Sequence, residues 1–244
     1  MNSTVLITGS SNGIGAATAI LFAEHNYNVI INYNNSREAA LILQNSLSSS
    51  GHSVIALQAD VRSRAQVEKM VDNAVRQFGK IDILVNNAGI AQQKLFTDIS
   101  NAEWDNVIAT NLTGAFNCCQ AVLPGMIKRH SGNIINVSSV WGETGASCEV
   151  HYSAAKAGLI GMTKALAKEV GPSGIRVNCI SPGVIQTRMN NSLSVDDLTI
   201  LTQETPLGRI GDASEIAKSI LFLSDDDSSF ITGQVLSVNG GIYI

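Results

Sequence analysis

Charge is scarce in this chain. Only 15% of its 244 residues are charged, the net charge is −4, and no basic cluster occurs. That leaves no electrostatic footprint for nucleic acid or an anionic membrane surface. No apolar run approaches the roughly eighteen residues a membrane-spanning helix needs. The opening Met1-Asn2-Ser3-Thr4-Val5-Leu6-Ile7 has neither a basic flank nor a processing site, so it does not read as a signal peptide. Cysteine is sparse as well. Cys118, Cys119, Cys148 and Cys179 match no zinc or redox spacing, and their apolar neighbours suggest reduced thiols in the core. No linker, low-complexity tract or internal repeat breaks the chain. The expectation is a cytoplasmic protein with no metal site, folded as one domain over residues 1–244.

The chain has many apolar residues, at 45%, and many glycines, at 21. The first apolar run, Val5-Leu6-Ile7, reads as a buried strand, and Ala16 to Ala23 reads as a helix. Strands are then expected at Val29-Ile31, Val54-Leu57, Asp82-Val85, Asn133-Val137, Arg176-Ile180 and Gln234-Val238. Helices are expected at about 36–50, 63–78, 101–130, 151–170 and 213–223. Strand and helix alternate from end to end, and the strands are continuous Val/Ile/Leu runs. This pattern argues an α/β fold, a doubly wound parallel sheet of the Rossmann type with helices on both faces. Residues from about 184 to 211 lack periodicity and read as a substrate lid carrying one short helix.

Ligands of such sheets bind beyond the carboxyl ends of the strands. Glycines and small polar residues gather there, at Gly9, Asn87-Ala88-Gly89, Ser138-Ser139 and Pro182-Gly183. Thr8-Gly9-Ser10-Ser11-Asn12-Gly13-Ile14-Gly15 lies between the first strand and the first helix. Its spacing is GxxxGxG. Glycines there let backbone approach a pyrophosphate, and the helix N-terminus favours the anion. Another absence follows strand two, where a carboxylate would hold the ribose hydroxyls of NAD. Asn32-Tyr33-Asn34-Asn35-Ser36-Arg37 has none before Glu38. NADP is therefore favoured over NAD, with Asn34, Ser36 and Arg37 available to its 2′-phosphate; Arg37 and Glu38 equally suit a solvated helix start.

Tyr152 and Lys156 stand four apart, on one face of an expected helix, with Ser139 thirteen residues before the tyrosine. An ammonium beside a phenol favours the phenolate, so the pair predicts a lowered tyrosine pKa and a usable acid or base.

Thr8-Gly-x-x-x-Gly-x-Gly15, Asp60-Val61, Asn86-Asn87-Ala88-Gly89, Asn111, Ser139, Tyr152-x-x-x-Lys156 and Pro182-Gly183 together resemble the short-chain dehydrogenase/reductases, over essentially the whole chain. Ala157-Gly158-Leu159-Ile160-Gly161 and Ile231-Thr232-Gly233-Gln234 are similar to the 3-oxoacyl-[acyl-carrier-protein] reductases within that family. The resemblance implies that Tyr152 protonates the oxygen as hydride reaches a carbonyl carbon. It implies that Lys156 tunes the tyrosine and holds the nicotinamide ribose, Ser139 fixes the carbonyl oxygen, and Asn111 holds a water in a proton relay. Gly9, Ser11, Asn12, Gly13, Ile14 and Gly15 would line the pyrophosphate, Asp60 and Val61 the adenine, and Asn87, Ala88 and Gly89 the adenosine side. Pro182, Gly183, Ile185 and Thr187 would close over the nicotinamide. A homotetramer and a carrier-bound substrate follow from the same resemblance.

Some positions depart from the family. Asn12 replaces an arginine common in NADP-dependent relatives. His130 and Ser173 stand where basic residues dock acyl carrier protein, with Lys128 and Arg129 close by. The loop from Val140 to Val150, with Trp141, Cys148 and Glu149, resembles a subgroup that reduces a 5-aminopentanone modification on elongation factor P. Glu149 would meet an amine if it faced the cleft, and otherwise reads as a solvated loop carboxylate; Cys148 reads as a buried thiol. Three functions stay open: a 3-oxoacyl thioester reductase, the elongation-factor ketone reductase, and an NADP-binding regulator without catalysis.

Overall fold

The computed structural model describes residues 2–187 and 194–244. Among them, strands β1 (Thr4–Ile7), β2 (Asn28–Tyr33), β3 (Val54–Gln58), β4 (Ile83–Asn86), β5 (Gly132–Val137), β6 (Ile175–Pro182) and β7 (Val235–Val238) form one sheet. Its order is β3-β2-β1-β4-β5-β6-β7. Every neighbouring pair is parallel. Parallel strands need crossovers, and the helices supply them: α1 (Gly13–Glu24), α2 (Arg37–Ser49), α3 (Arg64–Phe78), α4 (Asn101–Ile108), α5 (Gly114–Arg129), α6 (Val140–Thr144), α7 (Val150–Val170), α8 (Val195–Glu204) and α9 (Ala213–Ser224).

Side chains alternate across a strand, so an all-apolar strand feeds two cores at once. Val5 and Ile7 of β1 pack with Phe22 of α1 and with Ile216 and Ile220 of α9 on one face. Leu6 faces the other way, into a cluster with Met70 of α3, Met126 of α5 and Val170 of α7. The expected doubly wound sheet is what forms. Sequence order reverses between β1 and β4, so the carboxyl ends of these two strands open the crevice where a ligand sits.

Several boundaries differ from expectation. The single helix expected over 101–130 is two helices, α4 and α5, joined by a π-helical turn at Ala109–Thr113. Within it, Asn111 Nδ2 donates to the Val107 and Ile90 carbonyls, each at 2.9 Å. The wide turn points a buried amide inward, and π turns recur at functional sites. Helix α1 begins at Gly13 rather than Ala16, because its glycines occupy the first turn, where low propensity hid the start. Strand β4 begins one residue late. Asp82 instead accepts from Thr4 N through Oδ2 at 2.9 Å and pairs with Lys80 at 2.9 Å. Strand β7 likewise begins at Val235, not Gln234.

The loop expected from Val140 to Val150 contains α6, which packs on α7 and is tied to β7 where Ser237 Oγ donates to Glu143 at 2.9 Å. Cys118, Cys119 and Cys179 are buried free thiols, but Cys148 is only half-buried and adopts φ 61°, so it is not the core thiol expected. Of the expected lid, α8 is described, while residues 188–193 lie outside the described residues. No described helix is long and apolar enough to cross a membrane.

Candidate active site

At the crevice, the ends of β1 and β4 are locked together by side chains. Thr8 Oγ1 accepts from Asn87 N and Ala88 N, each at 3.0 Å. Asn87 Nδ2 returns bonds to the Thr8 and Gly9 carbonyls at 2.9 and 3.1 Å. From β2, Asn32 Oδ1 accepts from Gly9 N at 3.1 Å. Gly9 has φ +61°, and a Cβ there would stand 2.8 Å from the Ala88 Cα, so only glycine fits this turn.

The turn feeds α1, whose first residue follows Asn12. Asn12 gives the helix no side-chain cap; its Nδ2 donates to Ser11 Oγ at 3.1 Å instead. The first-turn amides of α1 are left for an anion. They border a cleft of about 470 Å³ lined by Gly9, Ser11, Asn12, Gly13, Ile14, Asn34, Ser36, Asp60, Val61, Asn87, Ala88 and Gly89, all predicted for the cofactor. The residues present therefore fit a dinucleotide. Gly15 lies just beneath, where a Cβ would come within 2.5 Å of Asn87 Nδ2. Arg37 opens α2 and is outside that lining.

The basic group in this cleft is one the sequence reading missed, Arg62. Its guanidinium pairs with Asp60 at 2.6 Å and donates to Asn106 Oδ1 at 2.6 Å. Bonding to Arg62 holds the Asp60 carboxyl below its ordinary range. The signal lay in Asp60-Val61-Arg62 itself, where a basic residue directly follows the expected adenine contacts.

A second cleft, about 540 Å³, adjoins the first through Ile14, Asn87, Gly89 and Thr187. It is lined by Ser139, Tyr152 and Lys156, and by Pro182, Gly183 and Ile185. Ser139 lies two residues beyond β5 and caps α6, its Oγ accepting from Trp141 N at 3.2 Å. That bond uses a lone pair and leaves the hydroxyl hydrogen free to donate. Tyr152 sits in the first turn of α7, 7% exposed, and lines the cleft with Ser139. Burial pushes the phenol up to about 12, opposed by the polar Ser139 hydroxyl nearby and reinforced by the charge of Glu149. Lys156, one turn on, is lowered to about 8 by burial.

This corrects the expected lowering of the tyrosine pKa. Lys156 Nζ donates to the Val137 carbonyl at 2.8 Å and lies 5.6 Å from the Tyr152 ring centroid, so the ammonium serves the backbone rather than the phenol. Among the described residues no hydrogen bond joins Asn111 to Lys156. Both groups face the same glycine, however. A Cβ on Gly89 would stand 2.6 Å from Asn111 Oδ1 and 3.5 Å from Lys156 Nζ.

The outer wall of this cleft comprises Gln92, Gln93, Trp141, Ser147 and Glu149. Glu149 therefore faces the cleft and is not a solvated loop carboxylate. Burial raises its carboxyl pKa, opposed by the neighbouring polar Gln93 side chain. Gln92 and Gln93 were missed by sequence reasoning, which had assigned no role to the stretch between Gly89 and the helix expected from residue 101. His130 ends α5 with φ 52°, and its carbonyl would lie 2.6 Å from a Cβ on Gly174, so it adjoins the turn that carries Ser173. Arg129 is committed to the Ile81 carbonyl at 2.6 Å.

The profile of the family described as Enoyl-(Acyl carrier protein) reductase matches residues 9–243. The 3-oxoacyl-[acyl-carrier-protein] reductase FabG of Staphylococcus epidermidis is 43% identical over 244 residues, covering 100% of both chains. The protein of that name from Staphylococcus aureus is 42% identical over 244 residues, covering 100% of this chain and 99% of its own. The one from Chlamydia trachomatis is 46% identical over 242 residues, covering 99% of this chain and 98% of its own. With a parallel sheet that ends in a dinucleotide cradle beside a serine, tyrosine and lysine, and with similarity running from end to end, this chain belongs to the short-chain dehydrogenase/reductase family.

Proposed function

We propose that this protein is a 3-oxoacyl-[acyl-carrier-protein] reductase of fatty acid synthesis, turning the ketone of a carrier-bound thioester into a secondary alcohol with NADPH. The observation that carries this reading is that Ser139, Tyr152 and Lys156 line one cleft continuous with the cofactor cradle. The bound nicotinamide supplies hydride to the carbonyl carbon. Ser139, with its hydroxyl hydrogen free, donates to the carbonyl oxygen and holds it in place. Tyr152, protonated at neutral pH, gives its proton to that oxygen, so hydride and proton together complete the alcohol. Lys156 keeps two N–H donors beyond the one on Val137, enough for a ribose hydroxyl and for a water that Asn111 Oδ1 also holds.

NADPH is favoured because no carboxylate ends β2, where Asn34 and Ser36 line the cleft beside Arg62. The four residues Asn111, Ser139, Tyr152 and Lys156 are all present and brought to one end of the sheet, which an inactive regulator would not require. The names of the relatives support the thioester over the elongation-factor ketone. Supporting a homotetramer, Phe116 and Ile127 on α5 and Leu236 on the outer strand β7 are exposed. Cytoplasmic location follows from the same reading. The test is NADPH oxidation with acetoacetyl thioester, run beside NADH. Turnover with NADPH is expected; a purified enzyme that binds NADPH yet leaves the thioester untouched, while reducing modified elongation factor P, would overturn this assignment.

A further inference from the structure

His151, the residue before Tyr152, has no part in the chemistry above, yet its side chain is wholly buried. Its Nε2 lies 3.4 Å from Gln92 Oε1, and its Nδ1 has no partner. Gln92 in turn donates from Nε2 to Glu103 Oε1 at 2.8 Å. Glu103 also takes both its oxygens to Lys94 Nζ at 2.8 Å and closes the Ser100 cap of α4. Those bonds hold it far below the ordinary carboxylate range.

The proton arrangement along this chain follows from chemistry. A carboxylate only accepts, so Gln92 must turn its NH2 to Glu103 and its carbonyl to His151. The imidazole must then carry its hydrogen on Nε2, which leaves Nδ1 an unprotonated acceptor in the interior. Burial also favours this neutral ring. An orphaned buried nitrogen costs stability that a leucine or phenylalanine would not. What the histidine provides in return is the fixed orientation of Gln92, a residue that lines the same cleft as Ser139 and Tyr152.

We propose that His151 is a positioning residue and Gln92 a specificity-determining one: His151 and Glu103 lock the Gln92 amide so that its carbonyl oxygen accepts a hydrogen bond from an N–H of the substrate. One lone pair of Oε1 goes to His151 and the second is left for the ligand. The matching ligand is a ketone whose tail carries an amide N–H, such as a 3-oxoacyl thioester on an amide-bearing thiol. This inference rests on the thioester reading above.

The test compares two thioesters with NADPH, acetoacetyl-N-acetylcysteamine, which has the amide, and acetoacetyl-S-butane, which lacks it. The wild type is expected to favour the amide thioester in kcat/KM. In Gln92→Leu that preference falls roughly tenfold, the loss of one hydrogen bond, and the change lies in KM. His151→Phe shows the same fall with Gln92 still present, and His151→Gln, which keeps an N–H donor, recovers part of it. A merely structural histidine would lower both substrates alike and leave the ratio intact; an unchanged ratio in the variants, or none in the wild type, overturns the proposal. If His151→Phe does not fold, Gln92→Leu, on a half-buried loop, decides alone. Failure of the wild type on both thioesters would instead overturn the thioester reading itself, and this inference with it.

Discussion

Lys156 Nζ is bonded to the carbonyl of Val137 at 2.8 Å, at the end of β5, while the Tyr152 ring centroid lies 5.6 Å from it. The lysine is thus anchored by the strand that also delivers Ser139. The two titrate oppositely, the phenol pushed up to about 12 and the ammonium down to about 8, both chiefly by burial. Ketone reduction needs the phenol protonated and the lysine charged, and those two values leave both conditions met at neutral pH.

Removing the phenolic hydroxyl should therefore stop the chemistry and spare the fold. Tyr152→Phe is expected to lower kcat by at least 10²-fold, the scale of a lost general acid. Stopped-flow turnover and NADPH titration by fluorescence check this together. Retained turnover would refute the assigned acid, and lost NADPH binding would point to a wider collapse of the site.

The alkaline limb of the pH profile should belong to the lysine. Tyr152 stays protonated across the accessible range, while Lys156 loses its charge as pH rises through about 8. kcat/KM for reduction is expected to fall through that region. A profile flat to pH 9.5 would contradict it.

The same shift is a statement about stability. The folded Lys156 value, about 8, lies below the ordinary 10.5, so between the two the unfolded chain binds more protons and stability rises with pH. The buried thiols Cys119 and Cys179, raised to about 12, act oppositely. A comparison with Lys156→Met isolates the lysine. That variant is expected to be more stable than wild type at pH 7, by on the order of 3 kcal/mol, with the gain shrinking by pH 10. Urea unfolding at the two pH values measures it.

How far the sequence could be read depends on the range of the interactions. Val5-Leu6-Ile7 and Val29-Ile30-Ile31 announced buried strands because both faces of a parallel sheet are covered, and apolar runs are a local signal. Tyr152 and Lys156 were legible through helical spacing. The π turn at Ala109–Thr113 was not, since its cause is the bond from Asn111 to Ile90, a contact between distant stretches of chain. Gln92 and the direction of Glu149 were hidden for the same reason. The tyrosine pKa was misread because burial, a property of the assembled fold, outweighed the neighbouring charge that spacing alone suggested.

Beneath the site, a buried polar ladder holds α7 to the sheet. Asn86 Nδ2 donates to Asn136 Oδ1 at 2.9 Å, and Asn136 Nδ2 donates to Thr163 Oγ1 at 2.8 Å. Asn136→Ala would leave both neighbours short of a partner in the interior. A loss of about 2–3 kcal/mol in urea unfolding is expected. Thr163→Val, which removes only the last rung, should cost less; equal costs would mean that the ladder does not act as a unit.

Cofactor choice can be tested by restoring the missing charge. Asn34 lines the cleft just after β2 together with Asp60, whose carboxylate is held by Arg62. A carboxylate at residue 34 would accept from ribose hydroxyls but repel a 2′-phosphate. It would also compete for Arg62, drawing that cation away from any phosphate. Asn34→Asp is therefore expected to weaken NADPH binding roughly tenfold or more while improving NADH, reversing the order of their kcat/KM values. Parallel assays with the two cofactors, at low and high salt, check both parts, because a charge effect at this half-open site should shrink as salt is added. A variant that keeps its full preference for NADPH would place the 2′-phosphate away from Asn34 and Arg62.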